Sequence, residues 1–123
     1  MSNELSQIIN KQQISAHELS FLIKNYTVMV LDVRHPEEYT NYHLENSINL
    51  PIDNLNDETF KAYATTKDAK PLVVVTYCNS GGRGGRAFNL LQRMNDNPNI
   101  IIKHLHSGIN QWINYGYPII EHK

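Results

Sequence analysis

Leu72-Val73-Val74-Val75-Thr76-Tyr77-Cys78-Asn79-Ser80-Gly81-Gly82-Arg83-Gly84-Gly85-Arg86 is the stretch on which the reading of this 123-residue chain turns. Its first six residues form an apolar, β-branched run without polar alternation, the composition of a strand covered on both faces. At Cys78 the run stops. Four glycines in the nine residues from Cys78 to Arg86 lead into Arg86–Met94, where Ala87, Leu90, Leu91 and Met94 share one helical face. A strand, a glycine-rich turn and a helix in succession open a βαβ unit.

Outward from this unit the same alternation continues. Val28–Val33 is a second apolar, β-branched run, and Ile100-Ile101-Ile102 and Ile48-Asn49-Leu50, closed by Pro51, fit further strands. Between them, Ser15 and Glu18 have capping-box spacing, with Ile14 and Leu19 placed as a hydrophobic staple. The helix that starts there carries Leu19, Leu22, Ile23 and Tyr26 on a face expected to be buried. Pro36 before Glu37 and Glu38 suits a first helical turn. Asp57–Thr65 carries Phe60, Tyr63 and Ala64 on one side. Strands separated by helices at these intervals predict an α/β fold, a parallel sheet with helices on both faces.

Length and composition predict one domain, residues 1–123, with an ordered core over about 12–119. The single cysteine excludes an internal disulfide scaffold, and no C-x-x-C or Cys/His cluster suggests a metal. A net charge of −1 without a basic run argues against nucleic acid as a partner. The start of the chain lacks a basic segment followed by an apolar one, and no stretch of eighteen apolar residues occurs, so a soluble, cytoplasmic protein that does not enter the membrane is expected.

Cys78 stands where chemistry is expected, at the carboxyl end of a buried parallel strand. Glycines allow positive φ, so successive N–H groups converge on one point as an anion-binding nest, and the helix N-terminus that follows points the same way. The helix dipole stabilises an anion there by roughly 0.3–1 kcal/mol, up to about 2 in favourable geometry. Arg83 or Arg86 adds to it, and thiols in such surroundings fall from about 8.5 into roughly the 3.5–7.5 range. A thiolate at neutral pH is therefore expected. The phosphate-binding alternatives do not match: there is no G-x-x-x-x-G-K-[ST], and Gly82-Arg83-Gly84 lacks the spacing of G-x-G-x-x-G.

Four blocks in order resemble the rhodanese-like domains, single-domain sulfurtransferases of the thiosulfate sulfurtransferase type. They are Leu31-Asp32-Val33-Arg34-His35-Pro36-Glu37-Glu38-Tyr39, His43-Leu44-Glu45-Asn46-Ser47-Ile48-Asn49-Leu50-Pro51, Tyr77-Cys78-Asn79-Ser80-Gly81-Gly82-Arg83, and Gly108-Ile109-Asn110-Gln111-Trp112-Ile113-Asn114-Tyr115-Gly116-Tyr117-Pro118. The resemblance spans most of the chain and implies a central parallel sheet of about five strands flanked by helices. It implies a loop, Cys78 to Arg83, whose amides surround the sulfur, and a reaction in which Cys78 takes a sulfane sulfur from thiosulfate or another donor, becomes a persulfide and passes the sulfur to cyanide or a thiol. Asn79, Ser80, Gly81, Gly82, Arg83 and Gly84 are then the anion-binding loop. Asp32, Arg34 and Arg86 are its support, with Asp32, Arg34 and Glu38 expected as an ion-pair network bracing it. No metal or organic cofactor is implied, and the partners are a small-molecule sulfur donor and acceptor or a protein persulfide.

Related phosphatases and arsenate reductases place five residues between cysteine and arginine, whereas four lie between Cys78 and Arg83. The other reading that the sequence leaves open is a relay or interaction module that holds sulfur for a protein partner. Several positions depart from the family pattern: Tyr42, Asn46, Asn95 and Ser107 stand where glycine is common, Phe88 where a small residue is, and Gly84 where serine is. Asn46 and Asn95 are expected to take the left-handed conformation in place of glycine. His43 is expected to satisfy a turn, and His104 and His106 to lie at a strand end near the site.

Overall fold

In the computed structural model, which describes residues 7–64 and 71–122, the run Leu72–Tyr77 becomes the middle strand of a five-stranded parallel sheet. In chain order the elements are β1 (Gln13–Ile14), α1 (Ala16–Asn25), β2 (Thr27–Asp32), α2 (Pro36–Asn41), β3 (Tyr42–Leu44), β4 (Ser47–Asn49), a 3-10 turn (Ile52–Asn54) and α3 (Asp57–Tyr63). There follow β5 (Leu72–Tyr77), α4 (Gly82–Met94), β6 (Ile100–Leu105), α5 (Gly108–Asn114) and β7 (Ile119–Glu121). The sheet order is β1-β6-β5-β2-β4. All six residues of β5 are buried, as an unbroken apolar run requires when both faces are covered.

Alternation along β5 divides the core. Leu72, Val74 and Cys78 face α4 and its surroundings, packing with Leu55, Phe60, Ala87, Phe88 and Leu91. Val73, Val75 and Tyr77 face the other way, among Leu19, Leu22, Leu105, Ile109 and Trp112. Each such apolar side chain contributes about 1.5–3 kcal/mol by leaving water. Mutually covered faces are thus what hold β5 and its carboxyl end in place.

The caps form as the residue pattern predicts. Ser15 Oγ accepts the Glu18 amide at 3.1 Å, Glu18 Oε1 accepts the Ser15 amide at 2.9 Å, and Ile14 and Leu19 are buried in the same cluster. Pro36 opens α2 at its first turn. Two expected core residues are not buried. Ile23 is 43% exposed, because it borders an open cavity of about 360 Å³ with Val28, Val30 and Trp112 instead of meeting the sheet. Tyr63 is 47% exposed at the last residue of α3, where Phe60 and Ala64 alone turn inward. The expected helical residue Thr65 lies outside the described residues.

Asn46 takes the left-handed conformation, at φ 65°, as expected of a glycine substitute. Asn95 does not: at φ −72° it ends α4 by donating its side-chain amide to the carbonyls of Asn97 and Ile100, so side-chain hydrogen bonding replaces backbone freedom. Beyond the main sheet, β3 and β7 pair antiparallel and clip the end of the chain back onto the domain. His43, stacked on Tyr39 with ring centroids 3.8 Å apart, bonds the Tyr39 carbonyl through Nδ1 at 2.9 Å. Lys103 is buried and donates Nζ to the Ile9 carbonyl at 2.8 Å and to that of Lys11, fixing the segment ahead of β1.

Candidate active site

Chain order reverses between β2 and β5: the chain leaves β2 for β4 on one side, and leaves β5 for β6 on the other. The connections therefore part at the carboxyl ends of these two strands and open a crevice there. Arg34 follows β2 and Cys78 follows β5, so both loops meet at that crevice.

A buried ionic pedestal fills its floor. Arg34 holds Asp32 through Nε to Oδ1 at 3.0 Å and Nη2 to Oδ2 at 2.7 Å, and its own amide donates to Oδ1 at 2.9 Å. The Tyr77 hydroxyl donates to Asp32 Oδ2 at 2.7 Å and accepts the Leu44 amide at 3.1 Å. Burial, then the charge of Asp32, pushes the Tyr77 hydroxyl well above the ordinary phenol range, so it stays a donor. A buried pair is tolerable only when its remaining groups are bonded. Tyr77→Phe is accordingly expected to destabilise the protein by about 1–3 kcal/mol in urea unfolding, since the Asp32 carboxylate and the Leu44 amide each lose a buried partner. An unchanged midpoint would contradict this.

From the pedestal the network climbs to the loop. Arg34 Nη1 donates to Asn79 Oδ1 at 3.1 Å, and Asn79 Nδ2 donates to Glu38 Oε2 at 2.8 Å. Glu38, in the first turn of α2, also takes both Arg83 nitrogens, Nη1 to Oε1 at 2.6 Å and Nη2 to Oε2 at 3.0 Å. Asp32 and Arg34 form one pair, Glu38 and Arg83 the other, and Asn79 links them.

Cys78 sits above this frame at 2% exposure, and its Sγ accepts the Gly81 amide at 3.1 Å. Gly81 has φ 129°, a value side-chain-bearing residues rarely adopt, and a Cβ there would collide with the His106 carbonyl oxygen, so glycine is required where the loop turns into α4. Gly82, Gly84 and Gly85 do not add positive φ, because α4 begins at Gly82 and takes them into its first turn. The expected nest of loop glycines is thus one strained residue followed by a helix N-terminus. Gly85 N–H already bonds the Gly81 carbonyl at 2.8 Å, which leaves the first-turn amides of Gly82, Arg83 and Gly84 without intrahelical partners. From behind, α5 docks on the loop: the amides of Ile109 and Asn110 donate to the carbonyls of Cys78 and Asn79 at 2.9 and 3.1 Å.

With this geometry, residues 15–115 match the family model of the rhodanese-like domain. The chain belongs to the rhodanese-like domain family. The domain is 33% identical, over 52% of its length and 58% of the relative's, to the thiosulfate sulfurtransferase PspE of Escherichia coli. It is 28% identical, over 93% of its length and 86% of the relative's, to the thiosulfate:glutathione sulfurtransferase of Saccharomyces cerevisiae. A rhodanese-related protein of Thermoplasma volcanium superposes with a TM-score of 0.69 at 33% identity, covering 89% of this chain and 97% of that one. Other curated relatives are longer, and the chain spans 21%, 22% and 56% of three of them.

Within this rhodanese-like domain the sequence-selected residues separate by place. Cys78, Asn79, Gly81 and Arg83 are joined by the contacts above, and Asp32 reaches the loop through Arg34 and through Tyr77, which precedes Cys78. Ser80 and Gly82 are exposed at the rim, and Arg86 is exposed on α4 with no hydrogen bond or ion pair among the described residues. Among the described residues no group of three or more His, Cys, Asp or Glu is placed to hold a metal ion.

Two buried polar residues under the loop were not singled out as site residues by sequence. Thr76 donates Oγ1 to the Gly84 carbonyl at 2.9 Å, and His104 lies against Gly84 and Gly85. A Cβ at Gly84 would stand 2.9 Å from His104 Nε2 and 3.2 Å from the Cys78 amide nitrogen, which explains glycine at this position. The sequence signal for His104 is its place at the end of a strand near the site; nothing in the sequence marks Thr76.

Hydrogen bonds from Arg83 hold the Glu38 carboxyl down at about 2, against the opposing effect of burial, with the His35 amide, the Arg83 charge and Asn79 assisting. Its ordinary value is 4.5, so the stabilisation is complete above about pH 4.5 and is lost as pH falls toward 2. Glu38→Gln is expected to flatten the acid side of the stability curve in urea titrations over that window. Parallel curves for parent and variant would show that the pair does not supply the dependence.

Proposed function

We propose that this domain is a sulfurtransferase in which Cys78 moves a sulfane sulfur from thiosulfate or another persulfide donor to cyanide or a thiol. The Cys78 thiolate attacks the outer sulfur of thiosulfate; the S–S bond of the donor breaks and sulfite leaves with the electron pair. The product is a Cys78 persulfide. The acceptor then attacks the terminal sulfur, the new S–S bond breaks, and the Cys78 thiolate returns while thiocyanate or a new persulfide departs. The cycle is redox-neutral and consumes no proton when the nucleophiles are already anions.

The observation that carries this reading is the Gly81 N–H on Sγ at the mouth of α4. A donor already aimed at the sulfur stabilises negative charge there without reorganisation, and the open amides of Gly82 and Arg83 are available to a terminal sulfur that projects further. Arg83 has much of its charge engaged by Glu38, so Arg86, exposed and unpaired among the described residues, is the cation assigned to attracting an anionic donor. Relatives named as thiosulfate sulfurtransferases support the same chemistry. No helix among the described residues is long and apolar enough to cross a membrane, and we assign the reaction to the cytoplasm.

The test is a thiocyanate assay with thiosulfate and cyanide, repeated with glutathione persulfide as donor. Turnover with at least one donor is the expected result. Absence of product with both would overturn the proposal.

A further inference from the structure

His104, on β6, lies directly behind the sulfur loop on the face of the sheet that α4 covers. It is 5% exposed; Nδ1 lies 2.6 Å from Gln13 Oε1 on the edge strand β1, while Nε2 is enclosed and has no hydrogen-bond partner among the described residues. Around it are the first turn of α4 and the ring of Phe88, whose centroid is 6.3 Å away. The Gly81 carbonyl, which would accept from a protonated ring, lies beside it, part of the residue whose amide bonds Sγ.

The arrangement is costly unless it has a use. A buried nitrogen without a partner is unfavourable. An apolar side chain at 104 would escape that penalty. With Nδ1–H donated to Gln13, the neutral ring presents a lone pair to the Gly81 oxygen. A proton on Nε2 turns that contact into an N–H donor and sets a positive charge beneath the sulfur.

We propose that His104 is a positioning residue that takes up a proton on Nε2 when Cys78 carries a negative sulfur and releases it when the sulfur is neutral, fastening the Gly81 peptide in step with the charge of the site. Burial, then the nearby His106, holds the ring below the ordinary imidazole value, so it is neutral when the sulfur is. The facing groups set the coupling: Cys78 at the end of β5 and His106 after β6 are the titratable ones, whereas Gln13 of β1, Thr76 of β5, and Gly84, Gly85 and Phe88 of α4 carry no charge. Such coupling is reciprocal, so His104 in turn favours the anionic sulfur. The inference rests on the sulfur-transfer reading only where the negative sulfur is a persulfide; a thiolate serves equally.

The test uses the wild-type protein and no sulfur donor. The His104 ring resonances are titrated by NMR with Cys78 free and again after capping with iodoacetamide, which leaves the sulfur neutral. The expected result is a His104 midpoint about one pH unit higher in the free protein. In parallel, the His104→Gln variant is expected to react with iodoacetamide more slowly than wild type at neutral pH. Identical His104 midpoints in free and capped protein would overturn the proposal whatever the variant does. Because no donor is present, that failure leaves sulfur transfer standing, and a protein unable to transfer sulfur can still show the coupling.

Discussion

Cys78→Ser is expected to reduce sulfur transfer at least about a thousandfold, to the assay background, while changing the unfolding free energy by about 1 kcal/mol or less. The two effects separate because they depend on different properties of one atom. A serine hydroxyl is not ionised at neutral pH and forms no bond to sulfane sulfur that an acceptor could later cleave, so both halves of the cycle are lost. The fold asks less of the position. Serine is slightly smaller, and the Gly81 amide that donates to Sγ at 3.1 Å remains available to an oxygen. Thiocyanate formation and urea unfolding measured on the same preparation check both parts. Activity retained by the serine variant would remove Cys78 from the reaction.

Gly108→Ala is expected to be strongly damaging for a change of a single methyl group. Gly108 has φ +64°, and a Cβ there would collide with the carbonyls of Asn79 and Cys78. Those carbonyls are the acceptors for the Ile109 and Asn110 amides, so α5 is tied to the sulfur loop through the atoms the new methyl would displace. The left-handed conformation costs a non-glycine residue about 1–2 kcal/mol, and two weakened backbone hydrogen bonds cost about 1 kcal/mol each. A loss of about 3 kcal/mol is expected, together with at least a tenfold drop in transfer as the loop shifts. Gly82→Ala provides the contrast: Gly82 is helical with nothing within 4 Å of its would-be Cβ, so alanine there should stabilise the fold by about 0.5–1 kcal/mol. Equal stabilities for the two alanine variants would contradict the close approach at Gly108.

What could be read before folding was whatever a short window encodes. The run Leu72–Tyr77 announces a doubly covered strand because both faces demand apolar residues, and Ser15 with Glu18 announces a helix start because the two hydrogen bonds lie within one turn. Cys78 was conspicuous because it interrupts such a strand before a glycine-rich segment. The partners of that segment were not visible. Glu38 and Arg83 are 45 residues apart in sequence, and only the meeting of the β2 and β5 connections brings them to 2.6 Å. The helix start was placed at Arg86, because Gly-Arg-Gly-Gly has poor helical propensity; packing on His104 and the Thr76 hydroxyl bond carry α4 back to Gly82. Strands β1 and β7, of two and three residues, are too short to display any period. Ile23 fits a buried helical stripe, but the stripe says nothing of where the sheet opposite it ends.

The central claim concerns a sulfur atom held covalently on one side chain, and weighing the intact protein reads it most directly. After incubation with thiosulfate or a small persulfide and removal of the excess, the wild-type chain should gain the mass of one sulfur atom, located on the Cys78 peptide and discharged by cyanide. An unchanged mass with every donor, or an added sulfur that the Cys78→Ser protein also acquires, would contradict the account.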